Sequence, residues 1–247
     1  MLDDLCYGTK NLSESMRMKN LRITKYTIIR FFVMVLGIAL LALGIALLRI
    51  SDAGTDPYSC MNIGLGENVF HIGYGTMQMI VNILMYIPVL ILAPKAFGIG
   101  ALVNMFCVGY GVDAFTALFR GMGLTMESIA DRMEMRILIF FLAILVYCVG
   151  VALYIECELG TSAYDMIGVI AEEKSKGKLK FQWVRIFTDF CCIGIGLLTG
   201  GAFGIGTFLV GFGTGPIVSF FRNLSKKSLP VIYMDREMKE EVLAEAE

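Results

Sequence analysis

Two aspartates and an arginine stand inside long apolar stretches of this chain. Arg185 precedes Asp189 by four residues and follows Gln182 by three, so a helix would carry these side chains on one face. Asp113 stands in an earlier apolar stretch. Ionisable groups are costly inside a membrane and mark proton or ion pathways there. We therefore predict that Asp113 and Asp189 couple a proton or another ion to function, with Arg185 as a counter-charge.

The same charges also have a purely structural interpretation. Arg185 and Asp189 could form an ion pair, with each other or with Glu156 or Asp165, that serves packing alone. Asp113 would then extend toward the nearer membrane surface. The positions of the partners in the fold distinguish this alternative from a functional site.

A polar hexapeptide occurs twice, each time at the end of an apolar stretch. The two copies are GTDPYS (54–59) and GTSAYD (160–165). The glycine of each permits a backbone conformation that ends a helix, and Asp56 or Ser162 is a typical N-cap for another. Pro57 suits the first position of a helix. Each hexapeptide is therefore predicted to end one helix and to begin the next.

The helices that begin at the hexapeptides are predicted over 57–70 and 163–174, which is too short to cross a bilayer. They are either re-entrant half-helices or amphipathic helices on the membrane surface. In the first case their free N–H groups would favour an anionic or polar group. In the second case Tyr58 and Tyr164 would be interfacial aromatic residues.

The predicted substrate site combines the hexapeptides with the polar side of one long helix in each half. Gln78 and Asn82 form a polar stripe in the first half, as Gln182 and Asp189 do in the second. The predicted substrate-binding residues are Thr55, Asp56, Tyr58, Thr161, Ser162, Tyr164, Asp165, Gln78, Asn82, Gln182 and Arg185.

Composition places these residues in a membrane protein. The chain has 247 residues, of which 57% are hydrophobic and 17% charged, with a mean hydropathy of +0.71. A soluble domain has about 45–50% apolar and about 25% charged residues. Six apolar stretches reach the length of a membrane helix and lack the alternation of a β-barrel: 28–49, 73–93, 97–119, 136–155, 181–199 and 203–221. The predicted fold is all-α, with six transmembrane helices.

The second half of the chain repeats the first at an offset of 106 residues. This offset aligns the two hexapeptides, places Arg30 on Arg136, and superimposes AFGIG (96–100) on AFGIG (202–206). We infer an internal duplication. Each copy has three spans, and an odd number inverts the second copy in the membrane. The predicted organisation is an N-terminal segment (1–27), a first three-helix repeat (28–120), a connection (121–133), an inverted second repeat (134–222) and a C-terminal tail (223–247).

Basic residues set the predicted orientation. Lysines and arginines are concentrated in the N-terminal segment, between 174 and 180, and at the start of the tail. By the positive-inside rule these segments lie in the cytoplasm, so both termini are predicted there and the connection 121–133 outside. The first span lacks a cleavage pattern after it and is expected to be retained.

No residue set typical of an enzyme or a metal site is apparent in the sequence. The seven cysteines form no C-x-x-C pair, His71 is the single histidine, and no phosphate-binding or dinucleotide-binding glycine motif occurs. We predict no catalytic residue, cofactor, metal ion or nucleic-acid partner. The expected partners are the lipid bilayer and a small-molecule substrate. The glycine-rich third and sixth spans would also permit a homodimer.

Three motifs carry a family resemblance. The first helix ends in GIALL (44–48), a polar hexapeptide follows, and FGIG (97–100) opens the third helix, with the whole pattern repeated. This pattern resembles the YczE/YyaS/YitT group of bacterial integral membrane proteins over residues 28–222. Pro57 stands opposite Ala163 and Ser59 opposite Asp165, so the half-sites are not equivalent. The resemblance implies a multi-pass protein of the bacterial inner membrane, of a kind often regarded as a transporter.

These observations lead to two functional hypotheses of different classes. The first is a small-molecule transporter that works by alternating access, with its substrate near the hexapeptides. The alternative is a non-transporting membrane scaffold or regulatory interaction protein. A polar cavity between the repeats would favour the transporter, whereas polar groups satisfied in pairs with no cavity would favour the scaffold.

Overall fold

The computed structural model describes residues 2–93, 98–157, 159–160, 162–176 and 178–228, with the backbone alone for residues 2–26, Gln182 and residues 226–228. Every regular element in this part of the chain is helical. The α-helices are α1 (Leu2–Ser51), α2 (Pro57–Ile63), α3 (Tyr74–Leu92), α4 (Ile99–Gly121), α5 (Met133–Glu156), α6 (Ala163–Lys174), α7 (Phe181–Leu198) and α8 (Ile205–Ser228). A π-helical segment, Gly64–Phe70, continues α2, and a 3-10 turn, Glu127–Ile129, precedes α5.

Five helical segments of the described residues are long and apolar enough to cross a membrane. They are Thr27–Ser51, Tyr74–Leu92, Ile99–Gly121, Met133–Glu156 and Ile205–Ser225. The prediction of an all-α protein with several membrane-length helices is therefore confirmed. The sixth predicted span, 181–199, coincides with α7, which has 18 residues and is not among the five.

The centre of the bundle is the pair α1 and α5, which pack together more extensively than any other two helices. Glycines allow the two backbones to touch. A Cβ atom on Gly150 would lie 2.4 Å from the Leu41 amide nitrogen, and one on Gly44 would lie 2.8 Å from the Tyr147 backbone. Buried residues of α1 such as Met34 complete the core on either side.

Two hydrogen bonds between the halves of the chain are related by the 106-residue offset. The Gly206 N–H at the start of α8 donates to the Ala53 carbonyl oxygen at 2.7 Å. The Gly100 N–H at the start of α4 donates to the Leu159 carbonyl oxygen at 2.8 Å. Gly206 and Gly100 differ by 106 residues, as do Leu159 and Ala53. Each half thus donates an equivalent backbone hydrogen bond to the other half.

Two arginines repeat this relation. Arg30 Nε, on α1, donates to the Cys157 carbonyl oxygen at 3.1 Å. Arg136 Nε, on α5, donates to the Ser51 carbonyl oxygen at 3.0 Å. These carbonyls stand where α5 and α1 end, so each arginine satisfies a helix C-terminus of the opposite half.

The two short helices begin as the sequence predicts. Gly54 and Gly160 adopt φ values of 109° and 121°, which favour glycine. The Asp56 carboxylate accepts from the N–H of Ser59 at 3.0 Å, and the hydroxyl of Ser162 accepts from an N–H three residues further on. The predicted N-caps are therefore both present, ahead of α2 and α6.

The two short helices converge inside the protein. Nearly all of α2 is buried. α2 packs against α7, and α6 packs against α3, so each crosses to the other half of the chain. Their tyrosines meet, with the ring centroids of Tyr58 and Tyr164 5.1 Å apart. The hexapeptides, 106 residues apart in sequence, thus face one another in the fold.

Substituting Gly150 with alanine tests the close packing of α1 on α5. We expect Gly150→Ala to lower the midpoint of thermal unfolding in detergent, because the added methyl group overlaps the backbone at Leu41 and overpacking costs about 1–3 kcal/mol. The matched control is Gly213→Ala on α8, where an added Cβ meets no heavy atom within 4 Å. Equal unfolding midpoints for the two variants would contradict the packing described here.

Candidate functional site

A cavity of about 120 Å³ lies where the two halves of the chain meet. All eight α-helices contribute to its wall. The lining combines aliphatic side chains, such as those of α1, with carboxylates, amides and tyrosines. A cavity with many polar groups is thus formed by the six helices that correspond to the predicted membrane-length stretches and by the two short helices.

The structure brings most of the predicted site residues together at this cavity. Thr55 is fully buried beside it, and its N–H donates to the Ala202 carbonyl oxygen at 3.1 Å. Thr161 and the side chain of Gln182 lie outside the described part of the chain. The predicted residues that line the cavity are Asp56, Tyr58, Gln78, Asn82, Ser162, Tyr164, Asp165, Arg185 and Asp189.

Asp113 lies elsewhere in the fold. Its carboxylate accepts from the Gly75 N–H at 2.8 Å, at the first turn of α3. Gly73, at the N-cap position, has no side chain to satisfy this turn. Asp113 therefore caps α3 from the neighbouring helix α4, and it does not share a cavity with Asp189.

Arg185, on α7, binds a carboxylate of the short helix α6. Its guanidinium forms a salt bridge with Asp165 and stands 5.3 Å from the centroid of the Tyr164 ring. The Ser162 hydroxyl donates to the other Asp165 oxygen at 2.9 Å. Of the partners that the sequence left open for Arg185, the fold selects Asp165.

A tyrosine from each short helix reaches a polar side chain on the next long helix. Tyr164 donates its hydroxyl to the buried carboxylate of Asp189. Tyr58 donates to Asn82 Oδ1 at 2.9 Å. These bonds hold α6 to α7 and α2 to α3, and they fix the two central tyrosine rings at the cavity.

Four buried polar atoms of the lining residues have no hydrogen-bond partner in the described part of the chain. They belong to residues that are at most 8% exposed: Asp56 Oδ1, Gln78 Oε1, Asn82 Nδ2 and the Tyr154 hydroxyl. Leaving such a group unsatisfied costs about 1–3 kcal/mol. Buried polar atoms in proteins normally bond to ordered water or to a ligand. The cavity is therefore chemically suited to a polar occupant.

Several lining residues were not among the predicted substrate ligands: Ser59, Tyr74, Asn104, Tyr147 and Tyr154. Tyr147 and Tyr154 are seven residues apart, which places them two turns apart on one face of α5. Asn104 is an amide in the middle of an apolar span. Applying the rule for ionisable intramembrane residues to amides and phenols would have found these three.

The lining chemistry favours hydrogen bonding and charge over metal coordination. Among the described residues, no three His, Cys, Asp or Glu side chains converge as a metal site would require. The charged groups of the cavity are the three carboxylates of Asp56, Asp165 and Asp189 and one guanidinium. Tyrosine hydroxyls and amides supply the remaining polar groups.

A second cavity, of about 660 Å³, lies at the end of α1. Arg49 and Glu67 line it and form a salt bridge of 2.6 Å. The Arg49 guanidinium stands 5.9 Å from the ring centroid of Tyr74, which lines the first cavity. Arg49 and Tyr74 thus stand between the larger cavity and the smaller one.

Comparison with known proteins assigns the chain to a family. The model of a family described as "Family of unknown function (DUF6198)" matches residues 28–223. The chain belongs to this family. The match covers every residue that lines the two cavities, so the site is built within the DUF6198 region.

Curated relatives of this DUF6198 protein include three bacterial chains. An "Uncharacterized protein" of Haemophilus influenzae is 26% identical over 78% of this chain and 83% of its own length. "Uncharacterized protein YyaS" of Bacillus subtilis is 24% identical, over 70% and 83%. "Uncharacterized membrane protein YczE" of Bacillus subtilis is 27% identical, over 74% and 81%. The predicted resemblance to YczE and YyaS is thus confirmed, and no solved structure matches significantly.

Removing the Tyr164 hydroxyl tests the bond that supports Asp189 in this DUF6198 protein. Asp189 is 5% exposed, so losing its donor should destabilise the fold by about 1–3 kcal/mol. We expect Tyr164→Phe to lower the midpoint of thermal unfolding measured in detergent. Tyr110→Phe is the control, because the Tyr110 hydroxyl is paired only with Met79 Sδ at 3.9 Å. If both variants unfold at the wild-type temperature, Asp189 does not depend on Tyr164.

Proposed function

We propose that this protein is a small-molecule transporter of the bacterial inner membrane that works by alternating access between two inverted three-helix repeats. The observation that carries the proposal is the cavity between the two halves, with its four buried polar atoms that lack partners in the described residues. Secondary transporters bind substrate near the membrane midplane where their repeats meet. A scaffold would instead need these polar groups to be satisfied in pairs.

The proposed repeats are α1 to α4 and α5 to α8, each with three crossing helices and one short helix. Of the crossing helices, α7 has 18 residues, which corresponds to about 27 Å of helix. That length is close to the ~30 Å hydrocarbon core, and the polar face of α7 would be sheltered at the cavity. The reciprocal bonds of Gly100 and Gly206 support a pseudo-two-fold relation between the repeats.

The two halves differ in how their helices pack, and this difference supports the proposed mechanism. α3 packs along α4, whereas their counterparts α7 and α8 make few contacts among the described residues. If the repeats exchanged these arrangements, the cavity would open toward the other side of the membrane. In the present arrangement, the larger cavity beyond Arg49 would form the approach from one side.

The proposed roles follow from the site geometry. Residues of the two short helices and Gln78, Asn82 and Arg185 would contact the substrate. Asp189 would carry a coupled proton or cation, because it is buried at the cavity and bonded to Tyr164. Asp113, outside the cavity, has a structural bond to α3, and a coupling role for it is a separate prediction. The basic segments place both termini in the cytoplasm in this proposal.

Cysteine accessibility from each side of the membrane tests alternating access. Thr214 lines the cavity, and its hydroxyl bonds only within its own helix, to the Val210 carbonyl oxygen. In the variant Thr214→Cys, a membrane-impermeant thiol reagent should label residue 214 in both right-side-out and inside-out vesicles. Peptide mass spectrometry identifies the labelled residue, so the native cysteines can stay in place.

A surface position provides the matched control for this experiment. Ala130 is exposed in the connection between α4 and α5, so Ala130→Cys should be labelled in one vesicle orientation only. Labelling of residue 214 in one orientation only, or in neither, would refute alternating access through this cavity.

A further inference from the structure

We propose that the substrate is a compact organic cation with N–H donors, such as a small amine or guanidine, bound between Asp56 and Asp189. This inference rests on the proposed transport function and assigns the substrate class of the same cavity. Charge balance, the type of the unpartnered atoms, the aromatic wall and the size of the cavity support it.

The cavity contains more negative than positive groups. Its carboxylates are those of Asp56, Asp165 and Asp189, and its one basic side chain is that of Arg185. Arg185 is committed to Asp165 by their salt bridge. The carboxylates of Asp56 and Asp189 form no salt bridge among the described residues, and the single guanidinium of Arg185 attracts both of them only through space. Separating such charges from water is costly unless a counter-charge accompanies them.

Two of the four unpartnered atoms at the cavity are acceptor oxygens, and the other two, Asn82 Nδ2 and the Tyr154 hydroxyl, can donate. Asp56 Oδ2 accepts the Ser59 N–H, but Asp56 Oδ1 has no donor in the described part of the chain. Gln78 Oε1 likewise has none. An occupant with at least two N–H groups would satisfy both oxygens. An anionic occupant would instead face these oxygens without a donor to offer them.

The N-termini of the two short helices are occupied by side chains of the protein. One first-turn N–H of α2 bonds to Asp56 and one first-turn N–H of α6 bonds to Ser162, the N-caps of the two helices. The positive ends of the two helices, which the sequence analysis considered as an anion site, are thus covered by side chains of the chain itself.

Tyrosine rings surround the acidic groups. Five tyrosines line the cavity, among them the Tyr58 and Tyr164 rings that meet at its centre. Aromatic faces attract cations, and the attraction strengthens when the cation is desolvated. The Arg185 guanidinium over the Tyr164 ring is an example of this contact within the cavity wall.

The volume and the ligand set define the kind of cation. An apolar cavity of about 150 Å³ in another protein accommodates benzene, so a cavity of about 120 Å³ suits a molecule of about five or six non-hydrogen atoms. The described residues hold no cluster of three metal-ligating side chains. These features favour a small organic cation over a divalent metal ion.

Isothermal titration calorimetry on the detergent-purified full chain tests the substrate class. The probes are n-butylamine and methylguanidine as cations, 1-butanol as a neutral analogue of the amine, butyrate as an anion, and tetramethylammonium as a cation without N–H groups. We expect saturable binding of butylamine or methylguanidine. The other three should bind at least tenfold more weakly or not at all.

Substitutions locate the binding site. Asp56→Asn should weaken amine binding about tenfold or more, because it removes the uncompensated charge, and asparagine is also a good N-cap, so α2 should keep its start. Asp189→Asn should have the same effect and tests the second carboxylate of the proposed site. Glu173→Gln, an exposed carboxylate on α6, should bind amines like the wild type. Thermal unfolding of each variant verifies that the fold is retained.

The outcomes separate the substrate class from the transport function. Tighter binding of butyrate, equal binding of butanol, or no binding of either N–H cation would overturn the cation assignment, as would wild-type affinity in both folded aspartate variants. If residue 214 in Thr214→Cys is still labelled from both sides, transport survives this failure. Conversely, amine binding without two-sided labelling supports the cation site and refutes the transporter.

Discussion

The arrangement of this protein depends on satisfying the backbone where α1 and α5 end inside the structure. A helix end leaves carbonyl groups without intrahelical partners, and in a membrane protein water cannot always supply them. Here the partners come from the opposite half of the chain: Arg136 binds the Ser51 carbonyl and Arg30 binds the Cys157 carbonyl. The amides at the starts of α8 and α4 bind the next exposed carbonyls. Neither half satisfies the carbonyl groups at the end of its own first helix. The two halves therefore satisfy each other's helix ends, and their short helices meet at the cavity.

The two hexapeptides carry the same pair of side chains in exchanged order. In the first, an aspartate caps the helix and a serine follows three residues later; in the second, Ser162 is the cap and Asp165 follows. Either order satisfies the first turn of a helix. The exchange nevertheless moves the carboxylate by one turn, to where Arg185 can reach it. The other carboxylate, that of Asp56, forms no salt bridge among the described residues and caps α2 instead. A difference that is neutral for folding thus makes the two walls of the cavity electrostatically unlike.

Much of the local structure could be predicted because its causes are local. Glycine, a capping side chain and Pro57 define the start of α2, and the corresponding signals define α6; both helices begin where the sequence indicates. The charged residues of the cavity, together with Gln78 and Asn82, could also be predicted, because charges and amides in apolar helices have few acceptable positions. Asn104 and three of the five tyrosines were missed. The hydrogen-bond and ion-pair partners of these residues could not be predicted. The sequence offered Arg185 several carboxylates, and only the crossing of α6 and α7 selects Asp165. Likewise, nothing near Asp113 in sequence indicates that it caps α3, because Gly75 is 38 residues away and is brought close by packing.

The interlocked backbones of α1 and α5 also identify the part of the molecule that cannot take part in a large rearrangement. Gly37, Gly44 and Gly150 each sit against the main chain of the other helix with no room for even a methyl group. Rotation or sliding would drive side chains into backbone, and packed interfaces resist such displacement. The α1–α5 pair is therefore a rigid unit whose two helices do not move relative to each other. Any change in the access to the cavity must arise from the helices around it, where α7 and α8 make few direct contacts with each other among the described residues.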